Sequence, residues 1–240
     1  MQSVYRKLKG YNPPSTFQPF KVEIKLGSPI LLANPYIHGD SVLMALLMKQ
    51  ILGDSYYNLP AKSPLPVHNL LKLPLKQTNG VYHSSVSQFD TDIIKTESVY
   101  KRFDEEHLNK VKSKIKRIRL GQGFFKSYRM NFPVVPTKTV TFYFNGNIKE
   151  CETILGDLTA LGKKTDIGYG IVRSVFIEPI KEDFSLVMDG KCMRPLPNTE
   201  FKHLGMPSIS QRLAWKAPYW DKKNIAMCAA PGAIFYETKI

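Results

Sequence analysis

Apolar and polar residues alternate from Phe20 to Leu26, with Phe20, Val22, Ile24 and Leu26 on one side and Lys21, Glu23 and Lys25 on the other. A period of two marks a strand with one buried face, so the spacing predicts a strand over 20–26. Gly27-Ser28-Pro29 ends it, and a loop runs through Asn34-Pro35-Tyr36 to His38-Gly39. Asp40 or Ser41 is placed to cap a helix that reaches Leu52, with Gly53 stopping it. That helix is apolar on nearly every side, which predicts burial on most faces. Apolar runs at 70–75 and 81–86 flank Thr78-Asn79-Gly80, and the Asn-Gly pair predicts a hairpin because both residues tolerate positive φ. A strand is predicted over 137–144, with Val140, Phe142 and Phe144 on one face. A helix is predicted over about 148–161. A glycine-rich loop at 162–170 and a strand at 171–177 complete the pattern.

This order reads as an α+β protein with a ferredoxin-like (split βαβ) core. The core domain is expected over 1–194, with an insertion at about 95–131. A Pro- and Gly-rich extension over 195–240 is expected to pack on it as an added layer. The chain has 240 residues, 43% of them hydrophobic and 11% aromatic, which excludes intrinsic disorder. The longest apolar stretch, 42–48, is far short of the ~20 residues of a membrane-spanning helix, and no apolar segment follows the basic start as in a secretory signal. Three cysteines, at 151, 192 and 228, fit neither a disulfide framework nor zinc-ligand spacing. The expectation is a cytoplasmic protein with no metal, no cofactor and no membrane contact.

Charge changes the picture most. The formal net charge is +14, so a polyanionic partner is expected. Between residues 101 and 129 ten basic residues face three acidic ones, a net +7 that is half the chain's excess. Lys114, Lys116, Arg117 and Arg119 lead into Gly121-Gln122-Gly123-Phe124-Phe125-Lys126-Ser127-Tyr128-Arg129. Such cations bind phosphates by counterion release, and neighbouring aromatic faces stack unpaired bases. A solvated charged helix with core aromatics is the alternative reading. In the loop, Gly162, Gly168 and Gly170 permit close approach, Lys163 and Lys164 add charge, and successive free N–H groups could cradle an anion. The loop is not a nucleotide-binding P-loop, because Gly156 to Gly162 is one residue too long and a strand follows. A plain helix-to-strand connection is the alternative. In the tail, Arg212-Leu213-Ala214-Trp215-Lys216-Ala217-Pro218-Tyr219-Trp220 either stacks RNA or seals the extension onto the core.

Catalytic signals are sparse. His38 and His83 are the candidates for acid–base work on a 2′-hydroxyl, and neither has a partner at a telling spacing. The carboxylates are too scattered to form a metal site.

Several segments taken together are similar to a known family. They are Gly27-Ser28-Pro29-Ile30, His38-Gly39-Asp40, Val81-Tyr82-His83-Ser84-Ser85, Gly123-Phe124-Phe125-Lys126-Ser127-Tyr128, the loop from Leu161 to Gly170, and Ala217-Pro218-Tyr219-Trp220. Over about residues 20–220 the chain resembles the RAMP superfamily of CRISPR-associated proteins, and within it the Cas5-like subunit of type IV effector complexes. The resemblance implies an RRM-related fold and a non-catalytic role capping the five-prime repeat-derived handle of the guide RNA. It also implies contact with the backbone RAMP subunit, the large subunit and target DNA near the handle. Carried onto this sequence, Gly162 to Gly170 would lie at the RNA, with Lys163, Lys164 and Tyr169 contributing side chains. Lys126, Tyr128 and Arg129 would lie on the handle or a neighbouring subunit, and Tyr219 and Trp220 are counted with them. The alternative within the family is a metal-independent endoribonuclease that processes the guide precursor.

Overall fold

The alternating run at 20–26 becomes the middle of the main sheet. A computed structural model describes residues 2–59, 70–103, 119–122 and 125–236. In chain order it contains α1 (Gln2–Gly10), β1 (Gln18–Leu26), the two-residue β2 (Ile30–Leu31) and α2 (Gly39–Leu52). Then come β3 (Gln77–Thr78), β4 (Val81–Tyr82), β5 (Gln88–Phe89), β6 (Lys95–Lys101), β7 (Tyr128–Val135), β8 (Thr139–Gly146), α3 (Ile148–Leu155) and β9 (Val172–Pro179). β1 is antiparallel to both β8 and β9, and β8 takes β5 on its other edge, so the strand order is β5-β8-β1-β9.

Register follows from the apolar alternation. Phe20 faces Phe144, Val22 faces Phe142 and Ile24 faces Val140, and all six are buried. The rings of Phe20 and Phe144 stack with centroids 5.4 Å apart. A one-residue slip would expose this whole set, at about 1.5–3 kcal/mol for each large side chain. Leu43, Met44, Leu46 and Leu47 of α2 and Cys151, Ile154 and Leu155 of α3 belong to the same core, as do Val4 and Leu8 of α1. Among the described residues no helix is long and apolar enough to cross a membrane.

Three sequence expectations shift. The helix predicted to reach residue 161 ends at Leu155, because Gln50 of α2 donates to the carbonyls of Thr153 and Ile154 and to Asp157, closing the helix end early. The hairpin turn is present, with Asn79 at φ 51° and Gly80 at φ 79°, but its paired strands are two residues each. The chain beyond β4 bends instead onto β8, where Ser84 bridges Phe144. The basic insertion is built on two strands. β6 runs antiparallel to β7 from Lys95↔Val134 to Lys101↔Tyr128, and β7 pairs with β2 on its other edge. The alternating lysines at 110–116 lie outside the described residues.

After β9 come β10 (Val187–Met188), β11 (Lys191–Cys192), β12 (Leu196–Pro197), β13 (Met206–Pro207), β14 (Ser210–Ala214), β15 (Ile225–Ala229) and β16 (Phe235–Tyr236). They form small sheets, the largest being β12-β15-β14. A second apolar cluster joins Cys192, Leu196, Phe201, Ala229 and Ala233 to Val81 of the hairpin. The C-terminal layer and the turn at Asn79-Gly80 thus share buried residues.

Candidate nucleic-acid interface

The glycine loop closes against β2. Lys163 N–H donates to the Leu31 carbonyl at 2.7 Å, Leu161 N–H to Gly170 O at 2.8 Å, and Gly170 N–H to Pro29 O at 2.9 Å. Two glycines are required by this closure. At Gly162 (φ 90°) a Cβ would lie 2.5 Å from the Leu31 oxygen, and at Gly170 (φ 63°) it would collide with the Leu161 carbonyl. Lys164 and Gly168 are also left-handed, at φ 59° and 97°, and bracket a 3-10 turn over Thr165–Ile167. The expected row of free amides is therefore largely absent. The N–H groups of Lys163, Ile167, Gly168, Tyr169 and Gly170 all donate within the protein. What the loop offers outward is its side chains, since Gly162, Lys163 and Gly168 are exposed while Gly170 is buried.

The arm meets the loop through the same short strand. β2 pairs with β7 while the carbonyl of Leu31 receives the loop, so the sequence places both on one scaffold. Lys164 Nζ donates to the Tyr128 hydroxyl at 3.2 Å and sits 5.4 Å from that ring's centroid. Tyr169 bonds the Glu97 carboxylate of β6, and its phenol is raised by burial and then by that carboxylate. Further along the arm, Arg129 Nε donates to Ser98 at 3.2 Å. The guanidinium carbons of Arg129 and Arg102 lie 5.5 and 5.7 Å from the exposed Tyr100 ring. Exposed cation–π contacts are worth about 0.5–1 kcal/mol, too little to keep these charges from a phosphate.

Lys164, Tyr128 and Tyr169 thus meet on one face of the β6–β7 pair, Arg129 lies with Ser98 and Tyr100 on the opposite face, and Lys163, Lys126 and Arg119 are exposed. Lys114, Lys116 and Arg117 lie outside the described residues. In the tail, Trp220 is 70% exposed. Tyr219 behaves differently: its ring stacks on His38 at 3.6 Å, and its hydroxyl turns inward.

That inward contact is the part of the molecule that no sequence pattern pointed to. Arg194 is 1% exposed. Its Nη1 donates to the carbonyls of Tyr82 (2.6 Å) and Ser84 (3.0 Å), and its Nη2 to Trp215 O (3.0 Å), Tyr219 Oη (2.8 Å) and Asp40 (3.3 Å). Tyr219 in turn donates to the Asp40 carboxylate, 2.7 Å from the nearer oxygen. Burial opposes the guanidinium's charge, and Tyr219 and Asp40 more than offset it. The available signal was a lone arginine between Cys192-Met193 and Pro195-Leu196. A cation in such an apolar run is buried only when paired.

Neither candidate histidine is presented as a catalyst. His83 is 6% exposed, with Nε2 2.8 Å from Thr78 Oγ1 and Nδ1 2.8 Å from Asp183. Burial raises the Asp183 carboxyl, but bonds from His83, Asn145 and Ser185 outweigh it and hold it below the usual range. His38 is lowered to about 4 by burial, with Asp40 opposing and Arg194 adding to the shift, and its Nδ1 is enclosed. The three cysteines are free and buried, and burial pushes their thiols up, to about 12, 12 and 11 for Cys151, Cys192 and Cys228. Among the described residues no three His, Cys, Asp or Glu side chains are grouped to hold a metal.

A family model described as "CRISPR type IV associated protein Csf3" matches residues 66–231. Among solved structures, the chain is similar to one in "Cryo-EM structure of the Type III-B Cmr-beta bound to cognate target RNA". That likeness has a TM-score of 0.37 and 10% identity, covers 74% of this chain, and spans 65% of the other. No curated protein matches the chain.

Proposed function

The chain belongs to the Csf3 family of type IV CRISPR-associated proteins, and from that premise we propose that it is a non-catalytic effector-complex subunit holding the five-prime handle of the guide RNA. The observation that carries this reading is the meeting of Lys164 with Tyr128, which brings the glycine loop against the end of the basic arm. Lys163, Lys164, Lys126, Arg119 and Arg129 hold phosphates, and Tyr128 and Tyr169 supply flat faces for splayed bases. Lys114, Lys116 and Arg117 extend the cationic arm, and Trp220 is a further stacking face. The antiparallel order β5-β8-β1-β9, with helices after the first and third of its strands in sequence, supports a ferredoxin-like, RRM-related core. We read 1–194 as that core with its insertion, and 195–240 as an extension packed on it. The partners are the guide RNA, the backbone RAMP subunit and the large subunit, with target DNA close to the handle, in the cytoplasm. The burial of His83, 6% exposed, supports a holding role over an endonucleolytic one.

The test is Lys163→Ala/Lys164→Ala in the assembled complex. Loss of two phosphate contacts lowers guide retention and reduces the salt slope on single-stranded RNA by about 1.4. Unchanged retention at every salt concentration rejects the reading.

A further inference from the structure

Beside the glycine loop, α2 and the chain entering it form a groove of about 500 Å³. Its walls include Val42 and Ala45 of α2 and Leu161 before the loop, and its cations are Lys49 and Lys163. None of its lining residues is acidic. One wall is fixed in place: the His38 and Tyr219 rings stack at 3.6 Å and 12°, and Tyr36 meets the His38 ring edge-on at 5.2 Å. That stack is anchored from behind by Asp40 and Arg194, so the aromatic surface is formed in advance of any ligand. Consecutive lysines serve the two sides of the loop. Lys164, in its left-handed conformation, reaches the arm, while Lys163 lines the groove.

A flat apolar slot with rigid aromatics, two cations and no carboxylate matches a nucleotide, whose base is apolar on its faces and whose phosphate is anionic. The volume lies within the about 300–1,000 Å³ of small-ligand sites. We propose that this groove takes one unpaired base of the bound RNA, with the flanking phosphate on Lys163 and Lys49. The inference rests on the handle-binding reading and adds to it a discrete pocket for a single base. Tyr36, Val42, Ala45 and Lys49 become part of the RNA site, and Tyr219 acts by fixing the His38 wall.

The experiment uses the assembled complex and synthetic single-stranded RNA carrying the repeat sequence of its own array, with 2-aminopurine placed at each handle position in turn. Of the positions that change fluorescence on binding, one is expected to lose its change when the groove is filled by substitution at Ala45. An abasic nucleotide at that position is expected to weaken binding about five- to hundredfold, the range of one lost stacking contact. Ala45 is exposed, so Ala45→Trp fills the groove from the helix surface. This variant should lose the same signal and bind intact RNA no better than the native protein binds abasic RNA. The two changes should not add. Additive losses, or no position-specific signal on RNA that is retained with its normal salt dependence, overturn the base pocket and leave the handle reading standing. Failure of the native complex to retain the RNA at all removes both. Should Ala45→Trp fail to fold, Ala45→Glu, at the same exposed position, narrows the groove and sets a carboxylate in it, and should lose the same signal; a signal unchanged in that variant overturns the base pocket.

Discussion

Arg194 and Lys164 are both cations set against a tyrosine, one inside the molecule and one on its surface. Arg194 makes five hydrogen bonds in a pocket closed to solvent, spread over the hairpin, α2 and the C-terminal layer. Lys164 makes one bond, to a hydroxyl on a partly exposed ring. The interior charge has its field answered by Asp40, and both its Nη groups are turned toward protein oxygens. The surface charge is held in position without being neutralised. A basic protein can therefore use the same residue classes for two purposes, and burial together with a carboxylate partner separates them. Counting lysines and arginines along the chain does not.

The comparison breaks most sharply at the interior site. Arg194→Met leaves Asp40, itself 2% exposed, as an uncompensated buried carboxylate, and removal of one partner of such a pair costs about 3–5 kcal/mol. Urea unfolding should show that loss, and Asp40→Asn on top of Arg194→Met should recover part of it. Lys164→Ala should leave unfolding within about 0.5 kcal/mol of native while lowering RNA retention. An Arg194→Met protein of native stability with impaired RNA binding would reverse the assignment of the two cations.

A titration sharpens the same contrast. The His38 imidazole, lowered to about 4 by burial, sits against an unfolded-state value near 6.5. Between these values the unfolded chain binds the proton and the folded one does not, so stability falls as pH drops from about 6.5 to about 4 and is insensitive above that window. Allowing for the partly exposed ring, the loss is on the order of 2–3 kcal/mol. His38→Phe keeps a ring against Tyr219 and should flatten the profile in that window. Asp183, held below the usual carboxylate range, adds its own loss only at still lower pH. A native profile already flat from pH 7 to 4 would show that the His38–Tyr219 stack is open to water.

What could be read from the sequence divides along a physical line. β1 and β8 were legible because each carries its own period, Phe20, Val22 and Ile24 announcing a buried face whatever lies opposite, and α2 because a continuous apolar run ends at Gly53. The hairpin turn was legible because Asn79-Gly80 is local chemistry. The end of α3 was not, since it is set by Gln50 from another helix. β7 was missed because its Tyr128-Arg129-Met130-Asn131 start reads as charged insertion, and its pairing with β2 and β6 is visible only in three dimensions. At the candidate site, Lys163, Lys164 and Tyr128 could be picked out by type, but the meeting of Lys164 with Tyr128 depends on the β2–β7 pairing, which no local pattern announces. The use of the loop's amides, and the turning inward of the Tyr219 hydroxyl, depend on acceptors at Leu31, Pro29 and Asp40. Those acceptors are brought together only by the fold.

The smallest effect tests how Lys164 is held. Tyr128→Phe deletes the hydroxyl at 3.2 Å and keeps the ring that lies 5.4 Å from Nζ. A neutral, partly exposed hydroxyl contributes little once water replaces it, so stability should move by no more than about 0.5 kcal/mol. The consequence for RNA depends on what the hydroxyl does. If it only parks the ammonium, releasing it leaves retention within about twofold and the salt slope unchanged, because the charge and the stacking face both remain. If instead the hydroxyl aims Lys164 at a phosphate, affinity falls and the salt slope drops by about 0.7, the value for one lost contact. The surface geometry favours parking. One bond from a freely rotating ammonium to a neutral, partly exposed hydroxyl keeps the cation beside the arm without fixing its direction. Titration of retained guide RNA against salt for native and Tyr128→Phe complexes separates the two, and a slope change of that size would move Tyr128 from a stacking face to a positioning residue.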